Sequence, residues 1–468
     1  MIREKTDRLG TALQHFRCWL RLLLAGLALH AAAALGQSAT LFENAAIITG
    51  DGNFLLQADV LVEGDSIIAV GDSADFVVPQ GSDRVDLSGQ FLMPAMIDAH
   101  THLGYQSPQG WGAEFYTRQN LLDNLRQYAY YGFSAAFSAG SDADDLALSL
   151  SADQRAETDA AARLLFAAGM GPPGQGPNDA FLLETAAVES RTGMTVLRGV
   201  GSPVEAILQV REVAAKGIPF IKIWIDDRGG SQDKLAEAVY LPLIAEARRQ
   251  RIPVFAHQQL ATDMPPLIDA GVSGFLHGRL GPDLSAATAT ASARNNIFIV
   301  PNLGLGELRR ETIGRDPFLR AVLPEDQTRR LATETAQRRQ QPSRVNLREE
   351  ELRASMARLL AAGVDIVLGT DAGALPDHPF GYTGHRELEI YVRLGMTPMQ
   401  ALVAATSAAA RHLNQSDLGL IAPGHRADLL ILNSNPLEDI RNTRSIAAVY
   451  LGGNRVDREA IAWRLRDP

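Results

Sequence analysis

Hydrophobic positions along this chain change their period twice. From about Thr40 to Phe91, short apolar runs are separated by glycine- and aspartate-rich turns. Ala45-Ala46-Ile47-Ile48 precedes Gly50-Asp51-Gly52, Ala58-Asp59-Val60-Leu61-Val62 precedes Glu63-Gly64-Asp65, and Ser66-Ile67-Ile68-Ala69-Val70 follows. That spacing predicts β-hairpins. In the middle of the chain, short apolar runs alternate with longer stretches of helical period, the pattern of βαβ units and a parallel sheet. Strands are predicted at 96–100, 134–137, 164–168, 220–225, 254–257, 274–276, 297–300 and 366–368, with clear intervening helices at 206–216, 242–250 and 353–362. After about Leu418 short strands return in Ala427-Asp428-Leu429-Leu430-Ile431-Leu432 and Ile446-Ala447-Ala448-Val449-Tyr450. The expected fold class is therefore α/β. A TIM-like (β/α)8 barrel over 93–417 is inserted into a small β-sandwich domain composed of 37–92 and 418–468.

The first 36 residues stand apart. Arg3, Lys5, Arg8, Arg17 and Arg21 precede an apolar run from Leu22 to Leu35 in which only His30 is polar, and Ala34-Leu35-Gly36 offers small residues for cleavage. This reads as a signal peptide and predicts a periplasmic or secreted protein; the alternative is an uncleaved N-terminal anchor. The run is short for a membrane span, so no stable membrane insertion is expected once it is removed. The single cysteine, Cys18, lies within these 36 residues, so disulfides and thiolate ligands are excluded from the mature chain. With five basic and two acidic residues removed from 44 and 54, the mature chain keeps 39 basic against 52 acidic residues, a formal charge near −13. An acidic chain without basic runs is a poor match to nucleic acid. A homo-oligomer is expected.

Catalytic residues of such barrels sit at the C-terminal ends of strands, and the residues found there share one chemistry. Strand one ends in His100-Thr101-His102, two imidazoles that a strand's two-residue period points to one face, where they act as paired nitrogen donors. Strand five ends in Val254-Phe255-Ala256-His257, strand six in Phe275-Leu276-His277-Gly278, and strand eight in Leu368-Gly369-Thr370-Asp371. Lys222 lies within the apolar strand Phe220-Ile221-Lys222-Ile223-Trp224-Ile225. Burial lowers a lysine pKa and favours the neutral amine, which adds carbon dioxide to give a carbamate that bridges two cations. Each residue has a plainer reading: His257 or His277 as a core histidine, Asp371 as a turn cap, and Lys222 paired with Asp226 or Asp227. Four histidines, a lysine and an aspartate gathered at strand ends favour a metal site.

The chain resembles the amidohydrolase superfamily, in pattern the imidazolonepropionase-like and Xaa-Pro-dipeptidase-like members, a group that includes ochratoxin-degrading enzymes. Met93-Pro94-Ala95-Met96-Ile97-Asp98-Ala99-His100-Thr101-His102 is similar to the family's first metal motif. Phe255-Ala256-His257, Leu276-His277-Gly278 and Gly369-Thr370-Asp371-Ala372 are similar to the later ones. Gly419-Leu420-Ile421-Ala422-Pro423-Gly424 resembles its return to the β-domain. The resemblance implies that His100, His102 and Asp371 bind one divalent ion and His257 and His277 a second. It also implies that a carboxylated Lys222 and a hydroxide bridge the two ions. Asp371 would serve as general base and then acid. Zinc suits these donors, with manganese or cobalt as alternatives. The implied activity is hydrolysis of an amide or peptide C–N bond in a small-molecule substrate: an N-acyl amino acid, an Xaa-Pro dipeptide or an aryl amide. A cyclic amide, lactone or ester hydrolase is the alternative, as is a non-catalytic periplasmic metal-binding protein.

The chain departs from the family pattern near strand two, where Gly132-Phe133-Ser134-Ala135-Ala136-Phe137 lacks the usual Arg and Asp, and after strand four, where Asp226-Asp227-Arg228-Gly229-Gly230 is unusually acidic. Such changes bear on substrate rather than metal. The loop after strand one carries Tyr105 and Trp111, an aromatic mouth suited to an apolar substrate moiety. Arg228, Arg279, His378 and His385 are candidate contacts for a substrate carboxylate or carbonyl. The charged stretch from Gly304 to Glu351 reads as a helical excursion, with a lid or an oligomer contact as the alternatives.

Overall fold

Each short apolar run in the middle of the chain is a strand because both of its faces are covered, one by helices and one by the opposite wall of a closed ring. The computed structural model describes residues 39–156, 161–176, 179–277, 280–308, 311, 313–339 and 349–466. The leader segment and Cys18 lie outside the described residues. Strands β1 (Ala39–Ile48), β2 (Phe54–Glu63), β3 (Ser66–Gly71), β4 (Asp83–Asp86) and β5 (Phe91–Pro94) open the described chain. The central run is β6 (Met96–Thr101), a small hairpin β7 (Gln106–Ser107) and β8 (Gly110–Trp111), β9 (Phe133–Ser138), β10 (Arg163–Phe166), β11 (Ala168–Gly171), β12 (Leu197–Gly199), β13 (Ile221–Ile225), β14 (Val254–Gln258), β15 (Gly274–Leu276) and β16 (Phe298–Val300). β17 (Leu429–Leu432), β18 (Ile446–Leu451) and β19 (Asn454–Arg455) follow.

The two chain ends share one sheet of order β19-β18-β17-β5-β1-β2-β3, with β4 added beside β1. Its far edge turns back on the chain that enters β17: Ile67 N–H donates to His425 O at 2.8 Å and Ala427 N–H to Asp65 O at 2.7 Å. The sheet thus wraps Phe42, Val60, Ile67, Leu92, Leu429 and Ile431, while Leu41 and Leu61 pack on the other face.

The ring is closed by backbone hydrogen bonds. β6, β9 and β10 pair in parallel, and so do β11, β13, β14, β15 and β16. β10 and β11 act as one strand interrupted at Ala167. Ala167 N–H donates back to Ser138 O at 3.1 Å and Ala168 N–H onward to Phe220 O at 2.9 Å, which passes the pairing from β9 to β13. Residues 366–368, expected as the eighth strand, form isolated bridges instead. Val367 N–H donates to Ile299 O and Ala99 N–H to Leu368 O, so this segment still joins β16 to β6. The helix predicted from Pro242 starts earlier, at Glu237, and carries the proline inside it, where the Ala238 carbonyl loses its i→i−4 donor. Gly304–Glu351 is a series of short helices and one longer one where described, joined by turns, and it buries Leu308, Ile313, Leu319, Val322 and Leu331.

Inside the ring four phenylalanines from different strands form a layer. Phe137 meets Phe220 and Phe255 at 5.4 and 5.5 Å between centroids, Phe220 meets Phe255 at 5.3 Å, and Phe255 meets Phe298 at 5.2 Å. Because strand side chains alternate, the residues two further on from this layer are lifted towards the C-terminal mouth. Lys222 follows Phe220 and His257 follows Phe255 in this way.

Below the layer, Asp365 accepts from His412 Nε2 at 2.8 Å and from Arg411 at 2.7 Å. These contacts, the His412 hydrogen bond foremost, pull its carboxyl down to about 2 from 3.8. A depressed folded-state pKa supplies stability above the unfolded value and loses it as pH falls towards the folded one. After discount for its exposure, Asp365→Asn is expected to cost ~1 kcal/mol at pH 7 and almost nothing near pH 2. Urea melts at the two pH values check this; an equal loss at both would show that the charge is not what matters.

Candidate metal centre

Five strands of the ring converge above the phenylalanine layer. His100 Nε2 and His102 Nε2 approach Asp371 Oδ1 at 3.5 and 3.1 Å, and His277 Nε2 approaches Asp371 Oδ2 at 3.3 Å. Donor atoms of His100, His102 and Asp371 all lie within 4.8 Å of one another. Lys222 Nζ is 3.5 Å from His100 Nε2. His257 and His277 rings are 4.7 Å apart, and His100 and His277 4.6 Å. His100, His102, Lys222, His257 and Asp371 are all buried. The structure therefore brings together the six residues that the strand ends indicated.

Local backbone strain accompanies this convergence. Arg228, His277, Asn302 and Asp371 have φ of 53°, 68°, 50° and 62°. Left-handed non-glycine residues cost of order 1–3 kcal/mol each and persist where their surroundings hold them. Here they turn the chain sharply at the ends of strands four, six, seven and eight, aiming side chains inward.

Burial governs the charges. It holds the imidazoles of His100 and His277 well below the ordinary histidine range, and lowers His257 to about 4. Burial also brings the Lys222 amine down to about 7. Among the described residues no carboxylate lies within 4 Å of Lys222 Nζ, so the alternative pairing with Asp226 or Asp227 is not formed. Asp226 instead accepts from His257 Nε2 at 2.9 Å and from the Arg228 guanidinium at 2.8 Å. An ionised Asp226 accepts only, so His257 Nε2 carries the proton and Nδ1 keeps its lone pair.

These donors fit a divalent cation. Asp371 Oδ1 is buried and receives no hydrogen bond, although His100 Nε2, on an imidazole that burial keeps neutral, stands 3.5 Å from it and His102 Nε2 3.1 Å. Lone pairs meeting a bare carboxylate oxygen in a dry pocket are unfavourable unless a cation lies between them.

The other candidate residues fall in different places. Tyr105 is buried and donates its hydroxyl to Ser141 O at 2.8 Å. Trp111 is half-buried and donates Nε1–H to Gly373 O at 2.8 Å. Both rings pack on Phe181, 4.9 and 5.9 Å between centroids, and Phe181 packs on His102 at 5.0 Å. They form an aromatic wall beside the centre. Arg228 stands next to it, bound to Asp226, and Arg279 lies outside the described residues. His378 Nε2 meets Thr370 O at 2.9 Å, one residue from Asp371. His385 is elsewhere: it is fully buried in the helix Tyr382–Arg393, with its two ring nitrogens taken by Thr443 Oγ1 and Tyr131 O, both at 2.9 Å. With no free nitrogen and no solvent contact, it packs against Tyr131, Phe133 and Phe318 and has no surface to offer a substrate.

Three residues outside the predicted ligand set support the centre. Ser141 Oγ lies 2.7 Å from His102 Nδ1, Asn302 Oδ1 lies 2.9 Å from His100 Nδ1, and Asp226 holds His257. Each continues the inward-facing alternation of its strand: Phe137-Ala139-Ser141, Phe298-Val300-Asn302 and Phe220-Lys222-Trp224-Asp226. Extending each strand's period past its last residue would have found all three.

The sequence matches the Amidohydrolase family over residues 322–456. It is 28% identical over 393 residues to the imidazolonepropionase of Cereibacter sphaeroides (strain KD131), covering 81% of this chain and 90% of that protein. Its fold resembles that of a Xaa-Pro dipeptidase solved with bound methionine in the active site, with a TM-score of 0.68, 23% identity, and 89% and 99% of the two chains covered. It also resembles the ochratoxinase of A. niger, with a TM-score of 0.68, 21% identity, and 90% and 95% covered. Closed ring, composite end sheet and strand-end donors agree with these likenesses to the amidohydrolase superfamily.

Proposed function

We propose that this chain is an exported enzyme that hydrolyses an amide or peptide C–N bond of a small substrate at a centre of two divalent ions, zinc by its donor set. His100, His102 and Asp371 would hold one ion, and His257 and His277 a second. Lys222, carboxylated on Nζ, would lie between them. The observation that carries the reading is the bare Asp371 oxygen faced by His100 and His102 Nε2. The ions, when bound, would acidify a water and polarise the scissile carbonyl.

The chain's own residues do the rest. Asp371 accepts a proton from the attacking water at a carboxylate oxygen and returns it to the leaving nitrogen. Lys222 is buried, and lowering of its pKa to about 7 leaves much of its amine neutral near neutral pH; addition of carbon dioxide forms an N–C bond and releases a proton. Tyr105, Trp111 and Phe181 exclude water and present flat apolar surface, which suits an aryl or acyl group. The likenesses to an imidazolonepropionase, a Xaa-Pro dipeptidase and an ochratoxinase support C–N hydrolysis. Export rests on the leader-like run before Gly36.

Dialysis against a chelator is expected to remove two divalent ions per chain together with hydrolysis of N-acyl amino acids, Xaa-Pro dipeptides and aryl amides, and added zinc to restore both. Turnover unchanged after complete metal removal would sink the proposal. A panel including a cyclic amide and a lactone tests the bond class, since turnover confined to those rings would move the assignment to ring opening.

A further inference from the structure

Asn302 ends strand seven and reaches both sets of proposed ligands with one atom. Its Oδ1 accepts the backbone N–H of His277 at 3.3 Å and lies 2.9 Å from His100 Nδ1. A backbone N–H only donates, so the side-chain atom facing it is the oxygen and not the amide nitrogen. It follows that His100 Nδ1 carries the proton donated to Asn302, and that His100 Nε2, facing Asp371, is the lone-pair nitrogen. The residue takes φ of 50°, a conformation asparagine tolerates better than most.

Its position is clamped from the next helix inward. Glu387, fully buried on the helix Tyr382–Arg393, accepts Leu303 N–H at 2.7 Å and Gly304 N–H at 2.6 Å. A Cβ at Gly304 would sit 2.8 Å from Glu387 Oε2, so glycine is required for this approach. We infer that Asn302, held by Glu387, is a positioning residue that fixes the His100 tautomer and ties the end of strand six to strand one, so that the ligands of both ions are set by one amide oxygen. This rests on the metal reading above. Second-layer partners of this kind change metal affinity by 10–100-fold when removed.

The test compares Asn302→Gly, which removes the acceptor and accepts positive φ, with Asn302→Asp, which keeps it. Chelator-competition titration is expected to show zinc affinity 10–100-fold weaker in Asn302→Gly and restored in Asn302→Asp. In metal-free protein with 15N-labelled histidine, the His100 signal, assigned by its loss in His100→Gln, is expected in the Nδ1–H form in the wild type. In Asn302→Gly it should shift towards a tautomer mixture. Should Asn302→Gly fail to fold, Glu387→Gln, which leaves one of the two N–H groups without an acceptor, is expected to weaken zinc binding in the same direction. A wild-type His100 in the Nε2–H form, or Asn302→Gly matching the wild type in affinity and tautomer, would overturn the inference. A wild-type chain that binds no divalent ion would defeat the metal reading instead, and the tautomer measurement would still decide the role of Asn302.

Discussion

Asp371→Asn is expected to lower amide hydrolysis by at least about a thousandfold while leaving the fold intact. Asparagine keeps the shape of the side chain and tolerates the left-handed backbone, where φ is 62°. It loses the charge and the ability to take a proton. Positioned acid–base groups contribute 10²–10⁴-fold by themselves, and this carboxylate also faces three imidazole nitrogens between 3.1 and 3.5 Å away. Loss of a ligand is thus expected to add to loss of the base. Kinetics at saturating zinc, with metal content measured on the same sample, separate the two contributions. A variant within tenfold of wild type would remove Asp371 from the reaction.

Lys222→Met is expected to move activity and stability in opposite directions. The Lys222 amine is fully buried, with no carboxylate within 4 Å among the described residues and its nearest polar neighbour, His100 Nε2, 3.5 Å away. Methionine has similar length and no polar atom. Exchanging a buried ionisable group for an apolar one of like volume is often stabilising, here by about 1–3 kcal/mol in the metal-free protein. Hydrolysis should nevertheless fall by at least about a hundredfold, since the anionic carbamate expected between the ions cannot form. Chemical denaturation of metal-free protein and activity of the zinc-loaded enzyme give the two signs. Loss of both stability and activity would mark Lys222 as a packing residue, and retention of activity would exclude the carbamate.

Much of this was legible because parallel strands are buried on both faces. Continuous apolar runs such as Ile221–Ile225 mark them, and a polar residue inside or at the end of such a run stands out. Lys222, His257 and Asp371 were visible for that reason. The eighth strand forms only isolated bridges, and a Cβ at Gly369 would meet Val300 at 2.5 Å and His100 at 2.9 Å, so this segment lies against its neighbours only because the residue is glycine. His385 misled because a helix residue's partner depends on tertiary packing; nothing local places it against Tyr131 and Thr443. Asn302 and Glu387 were missed for another reason: an amide has no charge to notice, and a glutamate on an amphipathic helix ordinarily faces water. The hairpin β7–β8 has two residues per strand, too few for any period to show.

The end sheet imposes an order of events on the polypeptide. β5 lies between β1 on one side and β17 on the other, and Leu92 pairs with Ile431 far along the chain. Until Leu429–Leu432 leaves the ribosome, β5 is an open edge with unpaired amides and carbonyls beside exposed leucine and methionine, a template for pairing with another molecule. The late arrival of one four-residue strand therefore makes nascent and truncated chains the forms most prone to aggregate. Chaperone dependence is expected to end when that strand docks.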